Sequence, residues 1–282
     1  MSESASNAEP KKGLGSTALR FATALPLIPL VLWLLFWAPP VAFQIFGLLW
    51  IAVVAQELMA MAIPESRACQ VLGIANTVGL TALFFYGAGN ARNFIAAFFA
   101  IVVGALFVSL STPQPVARAA PRIGWLLGGP IYVAGTLGTV ALLHAHDHGG
   151  AWVLLAMFAA FFSDTGAYFA GRAFGKHKLY PLVSPKKTVE GAIGGLFAAA
   201  FGAGLVQYFL LPHVPLWHAA LLGVVAAALG QGGDLLESLI KRSCGVKDSG
   251  KIMPGHGGLL DRSDALMFTS ATVWMYVEFL AG

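Results

Sequence analysis

Charged side chains are scarce in this chain: they make up 11% of 282 residues, with 13 acidic and 17 basic positions. A soluble domain carries about 25%, so the deficit excludes a water-covered surface. It also leaves no separate basic domain and no basic strand interleaved with aromatics, which excludes ordinary nucleic-acid binding. Cysteine is nearly missing, and Cys69 and Cys244 match no metal-type spacing. Low-complexity sequence is confined to small-residue stretches such as 191–195, whose glycines suit close helix packing in lipid. No strong repeat relates the two halves, which counts against an inverted-repeat transporter.

What the chain has in abundance is apolar surface. Hydrophobic residues reach 57% and the mean hydropathy is +0.75, values of an integral membrane protein. A spanning helix needs roughly 20 apolar residues. Nine segments qualify, at about 20–38, 41–63, 69–88, 93–110, 124–144, 151–171, 189–211, 216–237 and 260–280. The expected fold is all-α and polytopic. It divides into a polar, disordered tail (1–18), a chemically featureless set of N-terminal spans (19–145) and a C-terminal catalytic region (146–282) with two basic loops. Lys11, Lys12 and Arg20 before an apolar run imitate a signal peptide, but the run is long and no small-x-small site follows, so an uncleaved first span is expected.

Nine spans place sixteen of the 17 basic residues on one side and only Arg92 on the other. The positive-inside rule then puts the N-terminus in the cytoplasm. Both cysteines fall on that reducing side, where a disulfide is not expected. The expected location is a cytoplasmic (inner) membrane, with the charged loops facing the cytoplasm and anionic lipid headgroups.

The scarce charges concentrate in residues 237–264, which hold Lys241, Arg242, Lys247, Asp248, Lys251, His256, Asp261, Arg262 and Asp264. Bases beside carboxylates and a Gly-His-Gly-Gly turn point to phosphate and a divalent metal. In a helix, Asp234, Glu237, Ser238 and Lys241 share one face. A Glu237–Lys241 pair at i,i+4 accounts for two of them and leaves Asp234 unexplained. Gly230, Gly232 and Gly233 leave room beside it for backbone or ligand. A hairpin of the last two spans brings Asp234 toward Asp261, and two carboxylates from separate helices form a hard-oxygen site suited to Mg2+. His256 reads as a phosphate contact, since Mg2+ prefers oxygen. In the earlier basic loop, Ser184 reads as an N-cap with Pro185 at N1. Lys186 and Lys187 would then oppose the helix dipole unless an anion sits there, although inner helix ends are routinely basic. Asp164, inside the sixth span, is either a structural acid or part of the polar cavity. Glu57 reads as a helix-end carboxylate near Arg67, or as a partner behind the site. The run His144-Ala-His-Asp-His148 reads as a solvated outer loop, its spacing matching no zinc site.

The C-terminal residues resemble the phosphatidate cytidylyltransferase (CDP-diacylglycerol synthase) family. The resemblance rests on Ser238, Lys241-Arg242, Lys247-Asp248, Pro254, His256-Gly257-Gly258, Asp261-Arg262 and Asp264, with the spacing intact over 27 residues. Ser163-Asp164, Ser184-Pro185-Lys186-Lys187-Thr188 and Glu190-Gly191 also look like family segments. Met253 and Ser263 depart from the usual residues, at positions that carry no charge. The resemblance implies CTP and phosphatidate as substrates, CDP-diacylglycerol and pyrophosphate as products, and Mg2+ held by Asp234 and Asp261. A second, monovalent cation and a homodimer are compatible with it. The implied catalytic set is Asp234, Asp261, Lys241 and His256. Substrate contacts fall to Ser184, Lys186, Lys187, Thr188, Ser238, Arg242, Lys247, Asp248, Gly257, Gly258 and Arg262, with Asp164, Glu237 and Asp264 behind them. The competing readings are a CTP-dependent polyprenol or dolichol kinase, an archaeal-type CDP-lipid synthase and an anion transporter. The transporter would need a continuous polar path, and the outer half of the spans is nearly free of charge.

Overall fold

The computed structural model describes residues 26–87, 90–252 and 257–280. It consists of helices α1 (Leu27–Phe36), α2 (Pro40–Ala62), α3 (Arg67–Tyr86), α4 (Ala91–Ser111), α5 (Ala119–Thr136), α6 (Thr139–Ala145), α7 (Gly149–Phe174), α8 (Val189–Leu210), α9 (Leu216–Ser243) and α10 (Leu260–Phe279). A two-stranded antiparallel hairpin, β1 (Lys178–Tyr180) and β2 (Ser184–Thr188), lies between α7 and α8. The protein is an all-α, multi-pass membrane protein. Among the described residues, seven helical segments are long and apolar enough to cross a bilayer, and they correspond to the second through eighth expected spans. The first is described only over the ten residues of α1. The ninth, α10, has 20 residues but opens with Asp261, Arg262 and Asp264, so its composition falls short.

Local sequence sets the helix ends. The side chain of Ser66 accepts from Cys69 N to start α3, and that of Asn90 accepts from Arg92 N to start α4. The fifth expected span is broken between α5 and α6, near Gly138. A Cβ there would overlap the carbonyl of Ala134 and lie 2.9 Å from the Phe84 ring. Hydroxyls cover the break: Thr139 Oγ1 donates to Thr136 O at 2.5 Å and Ser270 Oγ to the same carbonyl at 3.4 Å. A broken helix is tolerated in a membrane when its freed carbonyls are satisfied in this way.

Packing follows the small residues. Where α7 crosses α8, Cβ atoms at Gly166 and Gly194 would overlap Ala198 and Ala170, and one at Gly191 would lie 2.8 Å from Ala167 O. The helices therefore approach to backbone contact, as expected for small-residue interfaces in lipid. Gln231 on α9 ties the seam by donating to Ser163 Oγ on α7 (3.0 Å) and to Ala192 O on α8 (3.1 Å). The main core joins Trp152, Leu155 and Ala159 of α7 to Ala203 and Val206 of α8, Leu222 and Ala226 of α9, and Val273 of α10. In contrast, α4 exposes Ile95, Phe99, Phe107 and Leu110, an apolar face suited to lipid. Because α10 contacts α9, α7, α6, α5 and α2, its first turn is held from both halves of the chain.

Two expectations need correction. Residues 184–188 do not start a helix. They pair as β2 with β1, and the N-cap of α8 is Thr188, whose Oγ1 accepts from Gly191 N at 3.1 Å. The competing force is the pairing of Tyr180 with Ser184 and Lys178 with Thr188, which Pro185 permits in a two-stranded sheet made only of edges. The His144–His148 run is not simply solvated. His144 stacks on Phe43 at 3.8 Å, His146 Nε2 lies 3.1 Å from Glu278 Oε2, and His146, His148, His213 and His218 line a cavity of about 380 Å³.

Candidate active site

Three structural pieces meet at the end of the bundle opposite that histidine cavity. The first is the last turns of α9, which carry Asp234, Glu237, Ser238 and Lys241. The second is residues 244–252 and 257–259 with the first turn of α10. The third is the β1–β2 hairpin. The hairpin is anchored by Glu190 in the first turn of α8, whose carboxylate accepts from Lys176 N (3.1 Å) and His177 N (3.2 Å) and lies 2.6 Å from His177 Nδ1.

The α9 end is shaped by its cap. Gly245 has φ +73, its N–H reaches Arg242 O at 3.0 Å, and Val246 N reaches Lys241 O at 3.0 Å. This is a Schellman arrangement, which needs glycine at the left-handed position. It turns the chain back so that Lys241 stays beside α10. Lys241 Nζ lies 2.9 Å from Glu237 Oε1 and 2.6 Å from Asp261 Oδ1. Glu237 is fully buried, and its carboxylate faces the Lys241 ammonium. Asp261 is better satisfied: it accepts from Lys241, from Ser249 N at 3.0 Å and from Gly258 N at 2.9 Å. Gly257 has φ +87, and a Cβ there would lie 2.9 Å from Asp261 Oδ2, so both backbone and space require glycine.

Asp234 has a different cation. Lys187 of β2 places Nζ 2.5 Å from Asp234 Oδ2, while Ser238 Oγ donates to Oδ1 at a long 3.5 Å. Asp164 of α7 and Asp264 of α10 complete this side, and the carboxylates of Asp164, Asp234 and Asp264 repel one another across it. Lys187 and Arg262 oppose that repulsion at Asp164. Three acids thus converge from three helices, tempered by one lysine of the hairpin and one arginine of α10.

The predicted residues divide into two groups. Glu237, Lys241, Asp261 and Gly258 share one network, and Lys187, Asp234 and Ser238 form a second beside it, with Asp164 and Asp264 near Asp234. Lys186, Arg242, Lys247, Asp248 and Arg262 are exposed around them. Ser184 is half-buried in β2, and Thr188 is buried as the cap of α8, with its hydroxyl committed to that bond. His256 lies outside the described residues. Of the three glycines near Asp234, Gly233 and Gly230 make room for α10: a Cβ at Gly233 would overlap Phe268, and one at Gly230 would stand 3.0 Å from Thr269 Cγ2. Only Gly232 faces open space.

Glu57 corrects the favoured sequence reading. It is not a helix-end acid for Arg67, which donates to Gln70 instead. It is 2% exposed, and its Oε2 accepts from Leu260 N at 2.8 Å and Ser249 Oγ at 3.1 Å. No local signal could link residues some 200 positions apart; the only hint was an acid inside an apolar span.

Residues 18–280 match the sequence profile of the cytidylyltransferase family. The chain is similar to proteins named phosphatidate cytidylyltransferase from several staphylococci. Identity is 44% over 132 residues with the Staphylococcus saprophyticus protein and 46% over 134 residues with that of Staphylococcus aureus (strain COL), in each case 47% of this chain and 51% of the relative. It is 47% over 117 residues with the Staphylococcus haemolyticus protein, 42% of this chain and 45% of the relative. The chain spans about half the length of the curated relatives it matches. With the profile covering nearly the whole sequence, the chain belongs to the cytidylyltransferase family.

Proposed function

We propose that the protein transfers the cytidylyl group of CTP to phosphatidate, giving CDP-diacylglycerol and pyrophosphate, in a bacterial inner membrane with its site toward the cytoplasm. The observation that carries this reading is that described residues of the motif, Lys241 and Asp261, meet Glu237 in a carboxylate–ammonium cluster at one end of an apolar helical bundle. A water-soluble nucleotide and a lipid headgroup can meet only at such a boundary.

In the proposed reaction an oxygen of the phosphatidate phosphate attacks the α-phosphorus of CTP, and the bond to the β-phosphate oxygen breaks. Phosphate is already anionic at neutral pH, so no strong general base is needed. The protein contributes positioning and charge neutralisation. In this reading Lys186, Lys187, Arg242 and Lys247 draw phosphates to the site, and Lys187, which faces Asp234, also meets a phosphate oxygen. Lys241 bridges Asp261 and the buried Glu237, which supports a role in holding the acids rather than in meeting substrate.

Mg2+ suits the donor set. Asp234 and Asp261 offer hard oxygens, and each already faces a cation. Among the described residues no group of three His, Cys, Asp or Glu side chains is close enough to hold a metal ion by itself. Mg2+ takes one or two carboxylates and fills its remaining places with water and substrate phosphate. When bound, Mg2+ would neutralise the triphosphate.

Purified protein given phosphatidate, Mg2+ and CTP labelled at the α-phosphorus should move label into the lipid phase and release pyrophosphate. Release of CDP with γ-phosphoryl transfer would replace this reading with a lipid kinase. Asp234→Asn and Asp261→Asn should each lower turnover by at least about 100-fold while the protein still inserts; near-normal turnover in either variant would refute the metal assignment.

A further inference from the structure

Glu57 sits on α2, in the half of the chain that the sequence marks as scaffold, yet its carboxylate is part of the motif loop. Leu260 is the first residue of α10, and the N-cap position, Leu259, supplies no side-chain cap. The first N–H groups of a helix have no partner within it, and the positive end of its dipole favours a carboxylate. Glu57 Oε2 fills that role from another helix, accepting from Leu260 N at 2.8 Å.

The same oxygen accepts from Ser249 Oγ at 3.1 Å, while Ser249 N donates to Asp261. Ser249 is therefore held between Glu57 and Asp261, and Asp261 in turn holds Gly258 N and Lys241. Two motif glycines make room for this approach. A Cβ at Gly250 would overlap Glu57 Oε1, and one at Gly258 would stand 2.5 Å from Glu57 Oε2. A second tie lies two helical turns earlier on α2, where Trp50 Nε1 donates to Ser263 Oγ at 3.0 Å. Positions 50 and 57 lie on one face of α2, and their partners 263 and 260 lie on one face of α10.

We propose that Glu57 is a positioning residue: by capping α10 from α2 and holding Ser249, it sets where Asp261 and Ser249 stand relative to α9. It touches no reacting atom and acts through Ser249 and Leu260. The proposal rests on the function proposed above for its kinetic readout, but not for its structural one.

The test compares Glu57→Ala, Glu57→Gln and Ser249→Ala with the wild type in detergent, each normalised to folded protein. A misplacement of about 1 Å at a positioned group costs about 100-fold in rate. Glu57→Ala should therefore lose about 100-fold in kcat and need at least about tenfold more Mg2+ for half-maximal rate. Glu57→Gln, whose amide oxygen can still accept from Leu260 N, should recover most of both, with Ser249→Ala in between. A merely structural acid would lower the yield of folded protein and leave kcat and the Mg2+ requirement of the folded fraction unchanged; that result overturns the proposal. Hydrogen exchange over 249–260 gives a second readout independent of turnover. Faster exchange in Glu57→Ala or Ser249→Ala supports the proposal, and unchanged exchange in both overturns it. A wild type that makes no labelled lipid would defeat the functional reading, while the exchange result would still decide the role of Glu57.

Discussion

At the scale of single residues, the two lysines that face the acids do different work. Lys241 lies between a fully buried Glu237 and Asp261, with its own side chain 11% exposed. Removing one partner of a buried ion pair leaves an uncompensated charge and costs about 3–5 kcal/mol. Lys241→Met should therefore lower the unfolding midpoint in detergent and reduce activity with it. Lys187 and Asp234 are about a quarter exposed, and such a pair contributes about 1 kcal/mol or less. Lys187→Met should leave the midpoint nearly unchanged while weakening the use of CTP, read as a higher KM. Equal stability losses in the two variants would show that both lysines are structural. The face shared by Asp234, Glu237, Ser238 and Lys241 was readable from spacing, and so was the Glu237–Lys241 pair. The cation of Asp234 was not, because Lys187 reaches it from a strand 47 positions away.

At the scale of elements, the glycines of α9 separate close packing from free space. Gly233 admits the ring of Phe268 from α10, whereas Gly232 has no neighbour within 4 Å for an added Cβ. Gly233→Ala should destabilise by about 1–3 kcal/mol through overpacking. Gly232→Ala should stabilise by up to about 1 kcal/mol, because alanine is the better helix former. Thermal unfolding of the two variants checks the opposite signs. In the loop, Gly257→Ala meets both a left-handed φ and the carboxylate of Asp261; its main effect should be on turnover, since it displaces the group that Gly258 and Ser249 hold. The hairpin at 178–188 is the element that sequence reasoning missed. Ser184-Pro185 satisfies the rules for a helix start, but those rules weigh only neighbours along the chain. Pairing with 178–180 and the competing cap at Thr188 decide the matter.

At the scale of the whole molecule, the bundle has two polar ends of different character. One holds the motif network and the exposed Lys186, Arg242 and Lys247; the other holds the cavity lined by His146, His148, His213 and His218. In a Cys244→Ser background, Lys247→Cys should react with a membrane-impermeant thiol reagent only from the cytoplasmic side, and Asp147→Cys only from the other. Cys69 is buried and should stay silent. The reverse pattern would invert the proposed orientation. Hydropathy and motif spacing alone determined that this is a helical membrane protein and that its scarce charges crowd into 234–264. Those properties depend on composition and on residues a few positions apart, which the chain carries before it folds. Only the tertiary structure decided that Lys187 belongs to Asp234, that Ser249 bridges Asp261 to Glu57 and that α10 is capped from α2. Each joins groups from separate helices or strands, and a buried acid takes whichever donor packing leaves beside it.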